Sequence, residues 1–277
     1  MSAVLIGTSH GTDDPAGQAA VRALLDGVRA ARPELDVREA FVDVQQPEVD
    51  EVLAGAVRDA GSATARDGSG AVSPVGGPTA VVVPLLLSTG YHVRHDIAQA
   101  VAAVNTAGED VAVAAEPLGP HPLLVDILAD RYAAAEAAHG PFRPDDVVVL
   151  AAAGSSVAAA ATAVEEVTSA LAQRLGRPVT PSYGAGAEPR VPAAVAAARA
   201  AAGATSGASE TSGAPGASAP RVIVVSYLLA PGYFLDRVLE AGADVVTDPV
   251  AGPARAEKAD PRLVQVVLDR YDAAIAS

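Results

Sequence analysis

The chain of 277 residues contains no cysteine and no tryptophan, and its aromatic residues are six tyrosines and three phenylalanines. The missing cysteines exclude a disulfide framework, a thiolate metal site, an iron–sulfur cluster and a thiol nucleophile. Any metal must therefore be met by histidine, carboxylate or water. So few aromatics leave few platforms for stacking single-stranded nucleic acid. Basic residues are scarce too: 19 Lys and Arg stand against 33 Asp and Glu, a net charge of −14. That balance argues against a surface that grips nucleic acid or anionic lipid. Long apolar runs are also lacking. The longest, Val81 to Leu87 broken by Pro84, is too short to span a bilayer. The N-terminus runs straight into a strand-like segment, Ala3–Gly7, without the basic flank of a secretory signal. The expectation is a cytoplasmic protein with no nucleic-acid and no membrane partner.

Hydrophobic residues make up 50% of the chain, enough for a full core, and the length suits one large domain or two smaller ones. Short β-branched runs alternate with Ala-rich stretches of helical length, the pattern of βα units on a parallel sheet buried on both faces. Strands are expected at Ala3–Gly7, Val37–Val42, Thr79–Leu87 and Val111–Ala115. Helices are expected near Pro15–Arg32, Pro47–Ala60, Val93–Val104 and Pro122–Ala138. Asp14 before Pro15 is a good N-cap with proline in the first helical position. The order then repeats, with strands at Val147–Ala152, Pro178–Tyr183, Arg221–Leu229 and Asp244–Thr247.

The repeat is visible residue by residue. GYHVRHDI at Gly90 falls on GYFLDRVL at Gly232, and VREAFVDVQQPEV at Val37 falls on VTPSYGAGAEPRV at Val179, both 142 positions apart. Asp130-Arg131-Tyr132 falls on Asp269-Arg270-Tyr271, 139 apart. Two Gly/Ser/Ala/Pro-rich inserts starting at Gly61 and Gly203 also correspond, and read as flexible loops before the third strand of each half. The fold class is therefore α/β: two tandem flavodoxin-like βα modules, each a mainly parallel four-stranded sheet flanked by helices, over residues 1–140 and 141–277.

In such sheets ligands bind beyond the carboxyl ends of the strands, near the reversal of chain order. The polar residues there are His10, Asp43 and His92 in the first half. At the aligned positions of the second half stand Ala153, Ala185 and Phe234, while the glycine frame persists: Gly11 on Gly154, Gly90 on Gly232. The fold does not need the three polar groups, so function explains them better. Each taken alone has an ordinary reading: a lone His as a hydrogen-bonded cap, Asp43 as a cap of the turn before Pro47. Together, two imidazoles and a carboxylate suit a borderline divalent cation such as Fe²⁺, Co²⁺ or Ni²⁺ with open coordination positions. His95 aligns with Arg237 and His121 with Asp260, which favours helix-surface or capping roles; His139 reads as solvent-exposed linker.

Gly7-Thr8-Ser9-His10-Gly11 matches the G-x-S-x-G nucleophile elbow, but only eight residues precede Ser9, too few for the upstream strands of an α/β-hydrolase. A histidine phosphatase needs an Arg immediately before the His of its first strand turn; Ser9 stands there. No Walker loop or dinucleotide fingerprint stands at a strand-to-helix turn.

The segments SHGTDDPAG, EAFVDVQQPEVDEVL and VVVPLLLSTGYHVRHDI resemble the sirohydrochlorin chelatases of the CbiX/SirB type, which insert a divalent metal into a tetrapyrrole without ATP. The likeness spans both halves, as in the long form with an active first copy and a degenerate second. It implies a chelatase-like fold and a lyase of sirohaem or cobalamin biosynthesis. It also implies a divalent metal (Fe²⁺ or Co²⁺) as substrate with no prosthetic group, and His10 and His92 as metal-binding histidines. Asp43 stands where many members carry Glu, as third ligand or proton relay. Tyr91 stands where a second Gly often precedes the His, so its ring is expected to line the macrocycle pocket.

Metallation requires two pyrrole protons to leave while the metal exchanges water for ring nitrogens, which suits neutral imidazoles that can hold metal and accept protons. A carboxylate-rich substrate meets an acidic protein, so the cleft needs local cationic compensation. Arg94, His95 and the backbone N–H groups at the helix starts after Gly11 and Gly90 are the candidates. The alternative reading is a non-catalytic carrier of metal or tetrapyrrole using the same pocket. A duplicated chain supplies its own second half for packing, so a monomer is expected.

Overall fold

The computed structural model describes residues 2–66, 77–88, 90–105, 111–207, 219–252 and 258–277; the side chains of 63–66, 91–93 and 203–207 lie outside the description as well. The order of elements is β1 (Val4–Ser9), α1 (Pro15–Ala31), β2 (Val37–Phe41), α2 (Val49–Arg66), β3 (Ala80–Pro84), α3 (Tyr91–Val104), β4 (Ala112–Ala114) and α4 (Pro122–His139). It then repeats as β5 (Val147–Ala152), α5 (Ala158–Leu175), β6 (Val179–Tyr183), α6 (Val191–Gly207), β7 (Val222–Tyr227), α7 (Tyr233–Leu239), β8 (Val245–Val246) and α8 (Pro261–Ile275). Two four-stranded parallel sheets result, in the orders β2-β1-β3-β4 and β6-β5-β7-β8. The chain turns back on itself between β1 and β3 in one sheet and between β5 and β7 in the other, which makes those strand ends the natural ligand crevices. Among the described residues no helix is long and apolar enough to cross a membrane.

The central strands are buried on both faces, as parallel strands must be when helices cover each side. In the first sheet Ile6, Ala40 and Val82 pack with Val49 and Leu53 of α2 and Ile97 and Ala100 of α3. In the second, Val149 and Val224 pack with Val191, Val195 and Ala198 of α6 and Val238 of α7. Asp14 caps α1 as expected, accepting from the Ala16 N–H at 2.7 Å. The first insert is not all loop: Gly61–Arg66 continue α2, and the next ten residues, 67–76, lie outside the description. The second behaves alike, with α6 running to Gly207.

The expected division at residue 140 needs correction. The compact units are Met1–Leu118 with Glu257–Ser277, and Gly119–Ala256, so the last helix of each half has changed places. In the first unit α8 packs on α1 and the first sheet. Gly27 leaves room for it, since a Cβ there would lie 2.6 Å from Val264 Cγ2. Arg270 of α8 donates to the Leu118 carbonyl after β4, Tyr271 Oη donates to the Ala3 carbonyl before β1, and Arg32 pairs with Asp272. In the second unit α4 makes the matching contacts. Arg131 donates to the carbonyls of Pro249 and Val250 after β8, and the Tyr132 hydroxyl accepts from Arg177, which also donates to the Asp146 carbonyl before β5. His139 is therefore the exposed last residue of a helix, not linker.

Asp146 has no counterpart in the first unit, where Ala3 stands. Its side chain is wholly buried and accepts from the backbone N–H of Arg143 and Arg221 and from the Arg221 guanidinium. Burial opposes its ionisation. Those two N–H groups and the Arg221 charge outweigh burial and lower its pKa to about 2.

Candidate functional site

The loops after β1 and β2 are sewn together by backbone hydrogen bonds. Val42 N donates to Ser9 O at 3.0 Å and Asp43 N to His10 O at 3.1 Å. Thr12 N reaches across to Gln45 Oε1 at 3.0 Å. Gly11 makes the close approach possible: its φ is +90°, and a Cβ there would strike the Asp43 carbonyl. His10 and Asp43 are thus presented side by side on a stitched platform, both exposed to solvent. No hydrogen bond or ion pair engages the His10 imidazole among the described residues, so both ring nitrogens are open to a ligand. One oxygen of Asp43 is already used, accepting from the Val44 N–H at 2.7 Å, and the other remains open.

β3 ends at Pro84 beside Thr8, and α3 opens at Tyr91 behind Gly90. His92 occupies the first turn of that helix; its side chain and that of Tyr91 lie outside the description. Gly90 is the N-cap of α3 and no side chain caps the helix, so the N–H groups of that first turn remain unpaired by a cap. Arg94 and His95 follow as exposed residues on α3. The start of α1 differs from expectation. Pro15 has no N–H and Asp14 already takes that of Ala16, so this helix end, four residues beyond Gly11, does not offer a free anion site. Among the described residues no three His, Asp or Glu side chains meet as a metal cage.

The second copy keeps the platform and loses the chemistry. Gly184 N donates to Ala152 O and Ala185 N to Ala153 O, both at 2.8 Å, the same two bonds as in the first copy. Gly154 repeats the left-handed turn at φ +84° against the Ala185 carbonyl. Thr8, Ser9 and His10 have become Ala151, Ala152 and Ala153. Phe234, aligned with His92, lies over the platform: a Cβ on Gly184 would be 2.8 Å from Phe234 Cδ1 and 3.2 Å from Ala153 O. In this copy, then, the first-turn residue of the helix after the third strand reaches the loops after the first two. The positions corresponding to His10, Asp43 and His92 are neighbours.

Two features at the first copy's strand ends escaped the sequence reading. Thr8 is fully buried and its hydroxyl has no hydrogen-bond partner, whereas the buried hydroxyls of Thr168, Ser182 and Ser226 are all bonded. The replacement of Thr8 by Ala151 was the signal that marked it. Val44 has φ +60°, in the left-handed region, and its aligned residue is Gly186. His121 caps α4 through Nδ1, which accepts from the Leu123 N–H at 3.2 Å, just as the aligned Asp260 caps α8.

A family model described as CbiX matches residues 4–135. SirB from Bacillus subtilis with Fe³⁺ is 19% identical over 100% of this chain and 96% of its own, with a TM-score of 0.66. The sirohydrochlorin chelatase SirB from Bacillus subtilis subspecies spizizenii, in complex with cobalt, is 17% identical over 100% and 96%, with a TM-score of 0.68. A CbiX described as the terminal enzyme for biosynthesis of siroheme in denitrifying bacteria is 19% identical over 99% and 100%, with a TM-score of 0.57. No curated protein matches the chain in sequence.

Proposed function

Because the chain belongs to the CbiX family through residues 4–135, we propose that it is a sirohydrochlorin chelatase inserting a divalent metal, Fe²⁺ or Co²⁺, into the ring without ATP. The observation that carries this reading is the internal one. The stretch matched by the family is the copy that holds His10, Asp43 and His92, and an equivalent platform in the second copy carries Ala153, Ala185 and Phe234.

On this reading His10 and His92 hold the incoming metal as it sheds water and accept the two pyrrole protons as the ring nitrogens bind it. Asp43, with one oxygen tied to its own turn and one open, completes the metal shell or relays those protons. Arg94, exposed on α3 beside His92, pairs with ring carboxylates, helped by His95 and by the N–H groups after Gly90. That local charge matters because the protein's net −14 opposes a carboxylate-rich substrate, and since salt screens charges beyond about 8 Å, the cations nearest the ring decide whether it is held. The first copy performs the reaction and the second is its structural partner. We place the reaction in the cytoplasm and the chain in it as a monomer.

The test is anaerobic mixing of purified protein, sirohydrochlorin and Fe²⁺, Co²⁺ or Ni²⁺, followed by the absorbance of the metallated ring. A rate well above the uncatalysed one is expected, fastest with the physiological metal. His10→Ala and His92→Ala should each slow it by roughly 100-fold or more. Full activity in both variants would sink the site assignment. Stoichiometric binding with no rate increase would make the protein a carrier.

A further inference from the structure

Val44 is a β-branched residue held at φ +60°, where the side chain crowds its own backbone and where glycine is the usual occupant. Its counterpart in the second copy is that glycine: Gly186 has φ +69° in the same turn after the second strand. The first copy therefore carries a side chain at a backbone cost that its own duplicate avoids. Such strain gathers where function requires a group in a fixed place.

The surroundings of the two residues differ in the same sense. A Cβ on Gly186 would run into the backbone of Ser155 and Ser156, so the second copy has closed over the position. The first copy has kept it open. Val44 Cβ lies 3.2 Å from where a Cβ of Gly11 would stand, which sets the side chain against the loop immediately after His10. It is nevertheless 50% exposed, one of few large apolar side chains so exposed among the described residues. It also adjoins Asp43, whose carboxylate accepts the Val44 N–H and so pins the turn.

An apolar knob between the loops of His10 and Asp43 is of no use to a metal ion, which wants nitrogen and oxygen. It suits the other reactant, a broad ring with apolar faces and a charged rim. We propose that Val44 is a specificity-determining contact for the macrocycle, seating a ring face beside His10 while Arg94 and its neighbours meet the rim. This rests on the chelatase reading, and assigns to Val44 a part of the ring site outside the metal-binding group.

The experiment compares full-length wild type with Val44→Gly and Val44→Asn, two residues that accept the left-handed turn but remove the apolar knob. Metal-free sirohydrochlorin is titrated by its absorbance change, KM values for ring and Co²⁺ are measured separately, and thermal midpoints are recorded. Ring affinity should fall roughly three- to tenfold in both variants, as burial of part of one valine predicts. KM for the ring should rise with it, KM for Co²⁺ should stay, and the thermal midpoint should hold or rise. Unchanged ring affinity in both variants overturns the proposal, whatever the midpoints do. A wild type that binds the ring but does not metallate it defeats the chelatase reading and leaves the Val44 contact measurable by titration. A wild type that binds no ring overturns both.

Discussion

The two copies share a backbone platform and differ in what stands on it. After the first strand, Thr8-Ser9-His10 in one copy faces Ala151-Ala152-Ala153 in the other, yet the bonds from the second loop to the first are the same two. The left-handed glycines, Gly11 and Gly154, are kept because each backbone passes within contact of the neighbouring loop's carbonyl. Conservation of the frame and loss of the polar groups separate what folding demands from what chemistry demands. The second copy diverges in the other direction as well: it has gained Phe234 over its platform and the buried Asp146 at the opposite end of its sheet.

The sharpest way to break the symmetry is to remove residues 257–277. This takes from the first unit Leu263, Val264, Val266, Val267, Leu268 and Tyr271, all buried. At roughly 1.5–3 kcal/mol for each large apolar side chain, the loss is on the order of 10 kcal/mol, comparable with the whole stability of a domain. The truncated chain retains His10, Asp43 and His92, yet its first unit should unfold and metallation should disappear. Hydrogen exchange of the β1 and β3 amides is the measurement. Protection at wild-type levels would show that α8 is not what covers that sheet.

This exchange of helices was the part of the fold the sequence hid, and the reason is physical. The buried face of α4 comprises Leu124, Ile127, Leu128, Ala129 and Tyr132, and α8 buries the same positions 139 residues on. An amphipathic pattern says that a face is covered and not by which sheet. By contrast, β-branched runs, the Asp14 cap and the 142-residue repeat were legible because each is a local signal. At the site, His10 and Asp43 could be placed from strand ends alone. Val44 could not, since a valine carries no mark of a left-handed turn; only its alignment with Gly186 does.

A smaller effect should confine itself to the second unit. Asp146→Ala leaves the part-exposed Arg143 and Arg221 guanidiniums without their carboxylate and takes the acceptor from the N–H groups of both residues, a loss of about 2–3 kcal/mol. The first unit, with Ala3 at that place, should be unmoved, so urea unfolding should split into two transitions. The same residue sets an acid limit. Its pKa falls from 3.8 unfolded to about 2 folded. The folded state therefore gains from its ionisation above about pH 4, and loses that gain as pH drops towards 2. The contribution is about 2 kcal/mol. Acid should loosen the second unit first, and Asp146→Ala should abolish that pH step.

The smallest effect compares the caps of the two exchanged helices. His121 opens α4 and Asp260 opens α8, and each accepts the N–H two residues on, at 3.2 Å and 2.9 Å. A carboxylate is the better cap because its charge also meets the positive end of the helix, and Asp260 pairs with Arg262 at 2.8 Å besides. His121→Asp should therefore stabilise the second unit by about 0.5–1 kcal/mol, and Asp260→His should destabilise the first by about 1 kcal/mol. Made in the Asp146→Ala background, where the two units are expected to unfold separately, these variants shift the midpoints of the two urea transitions, which give both values. Should His121→Asp destabilise instead, capping is not the main role of that imidazole. The groove it lines with Pro122, Asp126 and Glu166 between α4 and α5 would then be where its contribution lies.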